Sequence, residues 1–187
     1  MRHAIILASK SPRRKELLGK IVKSFCVMDS GVDESSIRAS SPLLFAKKAA
    51  TAKAKAIAEK HKNVIVIGAD TIVVLGNKIL GKPKDKKNAE TMLKSLSGTT
   101  HKVITGLAVI IPGKKMVSGY ALTRVTMRKI SQRAITEYVN SGRPLDKAGA
   151  YGIQEIEDPF IAKIEGDYDN VVGLPVYKLK KILDQFI

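Results

Sequence analysis

The chain contains a single cysteine, Cys26, no tryptophan, and only 5% aromatic residues. One thiol cannot build a disulfide framework or a cysteine zinc cluster within a chain, and it fits a reducing compartment. So few aromatics leave little from which to make the base-stacking platforms of single-strand binders. No apolar run approaches the roughly 18 residues of a membrane span. The stretch Ala4–Ala8 near the N-terminus is too short for the apolar core of a signal peptide. The expectation is a soluble, cytoplasmic protein that uses neither membrane nor nucleic acid as its partner. The patterns GxxxxGK[ST], GxGxxG and GxSxG are all absent, and the three histidines show no metal-ligand spacing.

Acidic residues are also scarce, 17 against 33 basic ones, for a formal net charge of +16. The excess is localised. Between Ser35 and Arg133 there are 20 Lys and Arg against four acids, Glu59, Asp70, Asp85 and Glu90, while the rest of the chain is neutral. A basic middle can face nucleic acid, an anionic membrane or a small polyanion such as a nucleotide; solvated helix faces account for most of the lysines. With 187 residues and 44% hydrophobic content, the chain has enough material for one well-packed core.

The order of predicted elements alternates. Ala4–Ala8 reads as a buried strand, and Ser11 and Pro12 open a helix over Arg13 to Lys20. Asp29 to Ser41 reads as a loop, Pro42 to His61 as an Ala/Lys-rich helix, and Val64 to Leu75 as a strand covered on both faces. Asp85 caps a helix from Lys86 to Leu96. Val103 to Ile111 and Val117 to Met127 form the arms of a hairpin whose turn carries the surface lysines Lys114 and Lys115. Ser131 caps a helix closed by Gly142, Phe160 to Ile164 is strand-like, and Pro175 opens a last helix that runs to the C-terminus. The fold class is α/β, with a mixed sheet flanked by helices.

Some residues break local rules. Arg13 and Arg14 occupy the first turn of a helix, where the macrodipole disfavours cations and the free N–H groups favour an anion. With Ser11 they make a phosphate cradle; the alternative is two solvated arginines. Asp70 lies inside an apolar strand, where a carboxylate is costly unless it is paired, protonated or bound to metal. Gly68 before it signals a bulge or a close backbone approach, and the alternative is an aspartate that caps a turn with Thr71. Lys82, in Gly81-Lys82-Pro83-Lys84-Asp85, sits in a rigid loop. Lys53 is one lysine among several in its helix, Glu34 is a loop acid able to meet a hard cation, and His101 reads as a hydrogen-bonded structural residue.

The segments LASKSPRRKELL, VIGADTIV, LGKPKD, MLKSLSG-x-x-H-x-V-x-TG, DKAGAYGIQ and IEGDYDNVVGLP, in this order from Ile5 to Leu183, closely resemble the Maf family of nucleoside triphosphate pyrophosphatases. The resemblance implies a single domain over 1–187 with two lobes and a cleft, similar to inosine triphosphatases. It implies hydrolysis to a nucleoside monophosphate and pyrophosphate with a divalent cation, Mg²⁺ or Mn²⁺. Asp70 would then be the proton acceptor and would share the metal with Glu34. Ser9, Arg13, Arg14, Lys53 and Lys82 match the family's phosphate positions. The family is often dimeric, which allows a homodimer.

Within that family the branch acting on dTTP and UTP is similar to this sequence in having Arg13, Thr71 and Gln154 at the positions that set specificity. A glutamine amide offers donors and an acceptor that match the N3–H and adjacent carbonyl of thymine or uracil. Glu155 stands where relatives usually have glycine. The alternatives are a pyrophosphatase for modified purines such as N7-methyl-GTP, or a basic protein that binds nucleic acid or regulates cell division.

Overall fold

The computed structural model describes residues 3–114 and 116–186, and for 157–159 the backbone only. The chain divides into two compact units, the first made of Met1–Thr71, Thr105–Ala121 and Asp169–Ile187, the second of Ile72–Ile104 and Leu122–Tyr168.

In the first unit, strand β1 (Ala4–Ala8) pairs in parallel with β2 (Cys26–Met28) on one side and β3 (Val64–Leu75) on the other, Ile6 lying opposite both Cys26 and Val66. Helix α1 (Pro12–Gly19) follows β1; its N-cap Ser11 accepts from the Arg14 N–H, and Pro12 sits where no intrahelical donor is needed. Helix α2 (Pro42–Ala58) buries a stripe of small residues, Ala46, Ala49, Ala50 and Ala54, with Lys53 and Ile57 on the same face. The stripe allows very close packing. A Cβ on Gly68 of β3 would come within 2.9 Å of the Ala54 nitrogen, and one on Gly106 within 2.8 Å of the Lys47 nitrogen. The Gly68 signal is therefore a close backbone approach. Ile6, Ala8, Ala50, Ala54, Ile57, Val66 and Ala108 form the core there.

In the second unit, β3 turns through Gly76-Asn77 into the antiparallel β4 (Lys78–Leu80), with Leu75 opposite Lys78. Helices α3 (Lys86–Leu96) and α4 (Gln132–Asn140) pack on each other. Helix α5 (Ile153–Phe160) leads into β7 (Ile161–Glu165), which pairs antiparallel with β6 (Val117–Met127) through Val125 and Ile164. With β5 (Thr100–Ile110) the strand order is β2-β1-β3-β5-β6-β7, and β4 lies beside β3. Parallel and antiparallel pairs coexist, so the sheet is mixed and the class is α/β. Helices α6 (Tyr168–Val172) and α7 (Val176–Leu183) complete the chain.

The long elements agree with the sequence reading. The loop expected over Asp29 to Ser41 contains a single 3-10 turn, Glu34–Ser36, and the last helix ends at Leu183 rather than at the C-terminus. Lys114 is exposed, and Lys115 lies outside the described residues. No helix among the described residues is long and apolar enough to cross a membrane.

Candidate active site

Asp70 lies on β3 within the first unit and is 3% exposed. Two residues upstream, Gly68 lets the α2 backbone approach β3, which brings Lys53 of α2 within reach of the carboxylate. Lys53 Nζ donates to Asp70 Oδ1 at 2.6 Å and contacts Glu34 Oε1 at 2.5 Å. Glu34 is presented by the 3-10 turn that Asp33 caps through the Ser35 N–H, and it remains about half exposed. One ammonium thus gathers two carboxylates that would otherwise repel each other.

Burial raises the pKa of Asp70 above the usual carboxylate value; Lys53 opposes this, Glu34 adds to it, and Arg14 opposes it. The second carboxylate oxygen, Asp70 Oδ2, is buried without a hydrogen-bond partner. A buried acceptor left open in this way is costly in a resting fold and useful to a group that must take up a proton.

Arg14 reaches the same neighbourhood from the first turn of α1. Its Nε donates to the Gly173 carbonyl at 2.9 Å, Nη1 to Ser9 Oγ at 3.2 Å and Nη2 to Thr71 Oγ1 at 3.0 Å. Burial pulls the guanidinium pKa down, against the raising influence of Asp70 and Glu34. The group stays charged, and two of its five N–H donors remain beyond these three bonds. Ser9 Oγ accepts from Arg14 and from the Ser11 N–H, so its own hydrogen is free to be donated. Arg13, half-buried, lies in the same first turn and its charge also lowers the Arg14 pKa.

Ser9, Arg13, Arg14, Glu34, Lys53, Asp70 and Thr71 therefore all belong to the first unit, and Lys82 and Gln154 to the second. Lys82 is exposed in the loop between β4 and α3. That loop is tied to the segment preceding Gln154 by a bond from the Gly149 N–H to the Gly81 carbonyl at 3.0 Å. Gly149 takes φ +70 and has Val73 against the place of a Cβ, so only glycine suits it. Gln154 is exposed in the first turn of α5. Its neighbour Glu155 contacts the buried Lys147 Nζ at 3.1 Å and accepts from the Tyr138 hydroxyl at 2.8 Å. Tyr138 in turn accepts from the Gly152 N–H at 3.1 Å, so Glu155 anchors the turn bearing Gln154.

The sequence reading did not single out Thr105, which is fully buried and bonded to Thr71, or the carbonyls of Asn170 and Gly173. Main-chain acceptors carry no residue signature. Lys53 did have one: it is the one lysine falling in the helical stripe 46, 49, 50, 53, 54, 57 of small and apolar residues.

Among the described residues no cluster of three or more His, Cys, Asp or Glu could hold a metal alone. Asp70 and Glu34 offer hard carboxylate oxygens, Asp70 Oδ2 with no competing bond. Mg²⁺ and its like are often held by one or two carboxylates together with water and substrate phosphates, and this donor set fits that arrangement.

The sequence profile of the family described as "Maf-like protein" matches residues 4–186. A protein of Dictyoglomus turgidum named dTTP/UTP pyrophosphatase is 45% identical, covering 100% of this chain and 97% of the relative. One of Bacillus mycoides with the same name is 48% identical over 97% of this chain and 95% of its own length. Among solved structures, the Ham1 protein of Staphylococcus aureus matches with a TM-score of 0.56 at 15% identity, covering 97% of this chain and 98% of that one. At that identity the likeness concerns the fold.

Proposed function

Because the chain belongs to the Maf-like protein family, we propose that it is a nucleoside triphosphate pyrophosphatase acting on dTTP and UTP. It releases the nucleoside monophosphate and pyrophosphate, and so removes these nucleotides from the cytoplasmic pool. Buried Asp70, with one oxygen on Lys53 and the other unpartnered, is the observation that carries the reaction. The names of the relatives carry the choice of base.

In this reading a water oxygen bonds to the α-phosphorus while the bond from that phosphorus to the bridging oxygen breaks, and pyrophosphate leaves. Asp70 takes the proton of the attacking water. A carboxyl whose pKa is raised by burial is a better base near neutral pH than an exposed one. Lys53 keeps Asp70 and Glu34 together and holds the Asp70 carboxylate in place. Arg14, with Arg13 and the Ser9 hydroxyl, binds phosphate oxygens; guanidinium forks match that geometry. Glu34 and Asp70 would hold a divalent cation, Mg²⁺ or Mn²⁺, which supplies neutralisation of the charge developing on the phosphates. Gln154 sets the preference for thymine or uracil through its paired donors and acceptor, and Arg13 and Thr71 are the other two positions that the resemblance ties to specificity.

Pyrophosphate release should be measured with dTTP, UTP, CTP, dGTP, ITP and N7-methyl-GTP, with and without Mg²⁺ or Mn²⁺. We expect dTTP and UTP to lead. A purine preference would overturn the choice of base. Asp70→Asn should abolish turnover and keep the fold by circular dichroism; near wild-type turnover would remove Asp70 from its role.

A further inference from the structure

Thr105 is fully buried on β5, in the otherwise apolar run from Val103 to Val109. A hydroxyl in such a place must find partners, and here the two it finds decide the direction of a chain of bonds. Thr105 Oγ1 donates to the Asn170 carbonyl at 3.1 Å. Its single hydrogen is thereby used, so in the 3.0 Å contact between the hydroxyls of Thr71 and Thr105 it is Thr71 that donates. That leaves the lone pairs of Thr71 to accept from Arg14 Nη2 at 3.0 Å. The other acceptor open to the Thr71 hydrogen, the Gly173 carbonyl, is farther at 3.3 Å and already takes Arg14 Nε at 2.9 Å. The chain therefore runs from Arg14 through Thr71 and Thr105 to Asn170, and all four belong to the first unit.

We propose that Thr105 is a positioning residue that, through the Thr71 hydroxyl, fixes the Arg14 guanidinium in the orientation that presents its two remaining N–H donors, one on each Nη, to the polyphosphate. This rests on the reading of Arg14 as a phosphate ligand. Without the Thr105 hydroxyl, the Thr71 hydrogen turns to the Gly173 carbonyl, which can accept it beside Arg14 Nε, and the rotation swings the Thr71 lone pairs away from Nη2, so that anchor of the guanidinium weakens. A binding group displaced by a fraction of an ångström loses most where a bidentate geometry is required.

The test uses Thr105→Val, which keeps the shape and removes the hydroxyl, and Thr105→Ser, which keeps the hydroxyl. The expected result is a KM for dTTP raised about tenfold in the valine variant, with kcat changed less, and the same factor for UTP. The serine variant should lie within about twofold of wild type. In an Arg14→Lys background the effect of Thr105→Val on KM should vanish, because the two act through one group. Thermal midpoints are recorded for every variant, and Thr105→Ala makes the same comparison if the valine variant does not fold. A folded valine variant with unchanged KM, while Arg14→Lys alone raises it, overturns the positioning role. An unchanged KM in Arg14→Lys instead overturns the reading of Arg14 itself. Equal impairment in the serine and valine variants would assign the effect to packing and also sink the proposal.

Discussion

Asp70 and His101 are both buried ionisable side chains, 3% and 1% exposed, and burial raises the pKa of the first and lowers that of the second to about 4. In each case it favours the neutral form. Asp70 is held against that tendency by Lys53, whereas His101 Nε2 has only the Tyr151 hydroxyl at 2.6 Å, with the two rings edge to face. His101 thus carries a stability cost that appears on acidification. The unfolded chain takes up a proton near pH 6.5, while the folded chain keeps the imidazole neutral down to about 4. Its contribution is complete above pH 6.5 and is lost as the pH falls toward 4, by about 3 kcal/mol in all. Urea unfolding at pH 7.5 and pH 4.5 should show this loss in wild type and a smaller one in His101→Gln. Equal losses would assign the acid sensitivity to other groups.

Residues of this kind differ in how visible they are in a sequence. Asp70 stood out because a carboxylate inside an apolar strand violates a local rule, and Arg14 because a cation in the first turn of a helix does. Lys53 was one lysine among many until the packed face of α2 separated it from Lys47, Lys48 and Lys55. Thr105 violated nothing, since threonine is a common strand residue.

At the scale of elements, the close contact of α2 with β3 and β5 sets where Lys53 stands. It depends on the absence of two Cβ atoms, at Gly68 and Gly106, over a helix face made of alanines. Gly106→Ala would drive its methyl into the Ala46 carbonyl and the Lys47 nitrogen, backbone atoms that cannot yield without moving the helix. The cost should be at least about 1–3 kcal/mol in urea unfolding. Gly19→Ala, at the end of α1 with nothing within 4 Å, should be neutral or stabilising by up to about 1 kcal/mol. Similar losses in both would mean that the contact is not tight. The elements that escaped the sequence reading are the short ones. Strands β2 and β4 have three residues each and helix α6 five, too few for a period to register. Helix α5 begins just after Gly152 and contains Pro159, two breakers that mask it.

For the whole molecule, the formal charge of +16 divides unequally. The first unit carries 19 basic and 8 acidic residues, net +11, and the second 14 and 9, net +5. The unit holding Asp70, Lys53 and Arg14 is thus also the more positive, a field that draws in an anionic nucleotide. The kcat/KM for dTTP should therefore fall as ionic strength rises from about 0.01 to 0.15 M, where the screening length shortens from about 30 to 8 Å. Replacing the exposed Lys114 by alanine should alter kcat/KM less than twofold at 0.15 M, since one screened surface charge contributes little (roughly 1 kcal/mol or less). A rate indifferent to salt would separate the charge from catalysis.

The order of the long elements, the mixed α/β class and the family itself were determined by the sequence alone. Each depends on local periodicity, composition or contiguous motifs. The tertiary structure decided which lysine meets Asp70, which carbonyls hold Arg14, and what Glu155 does beside Lys147 and Tyr138. These pairs lie 17 to 159 residues apart along the chain, apart from Glu155 and Lys147, and none follows from propensity. They form because glycine and alanine let a helix backbone settle onto a sheet, and because a buried polar atom takes whatever partner the packing brings to it.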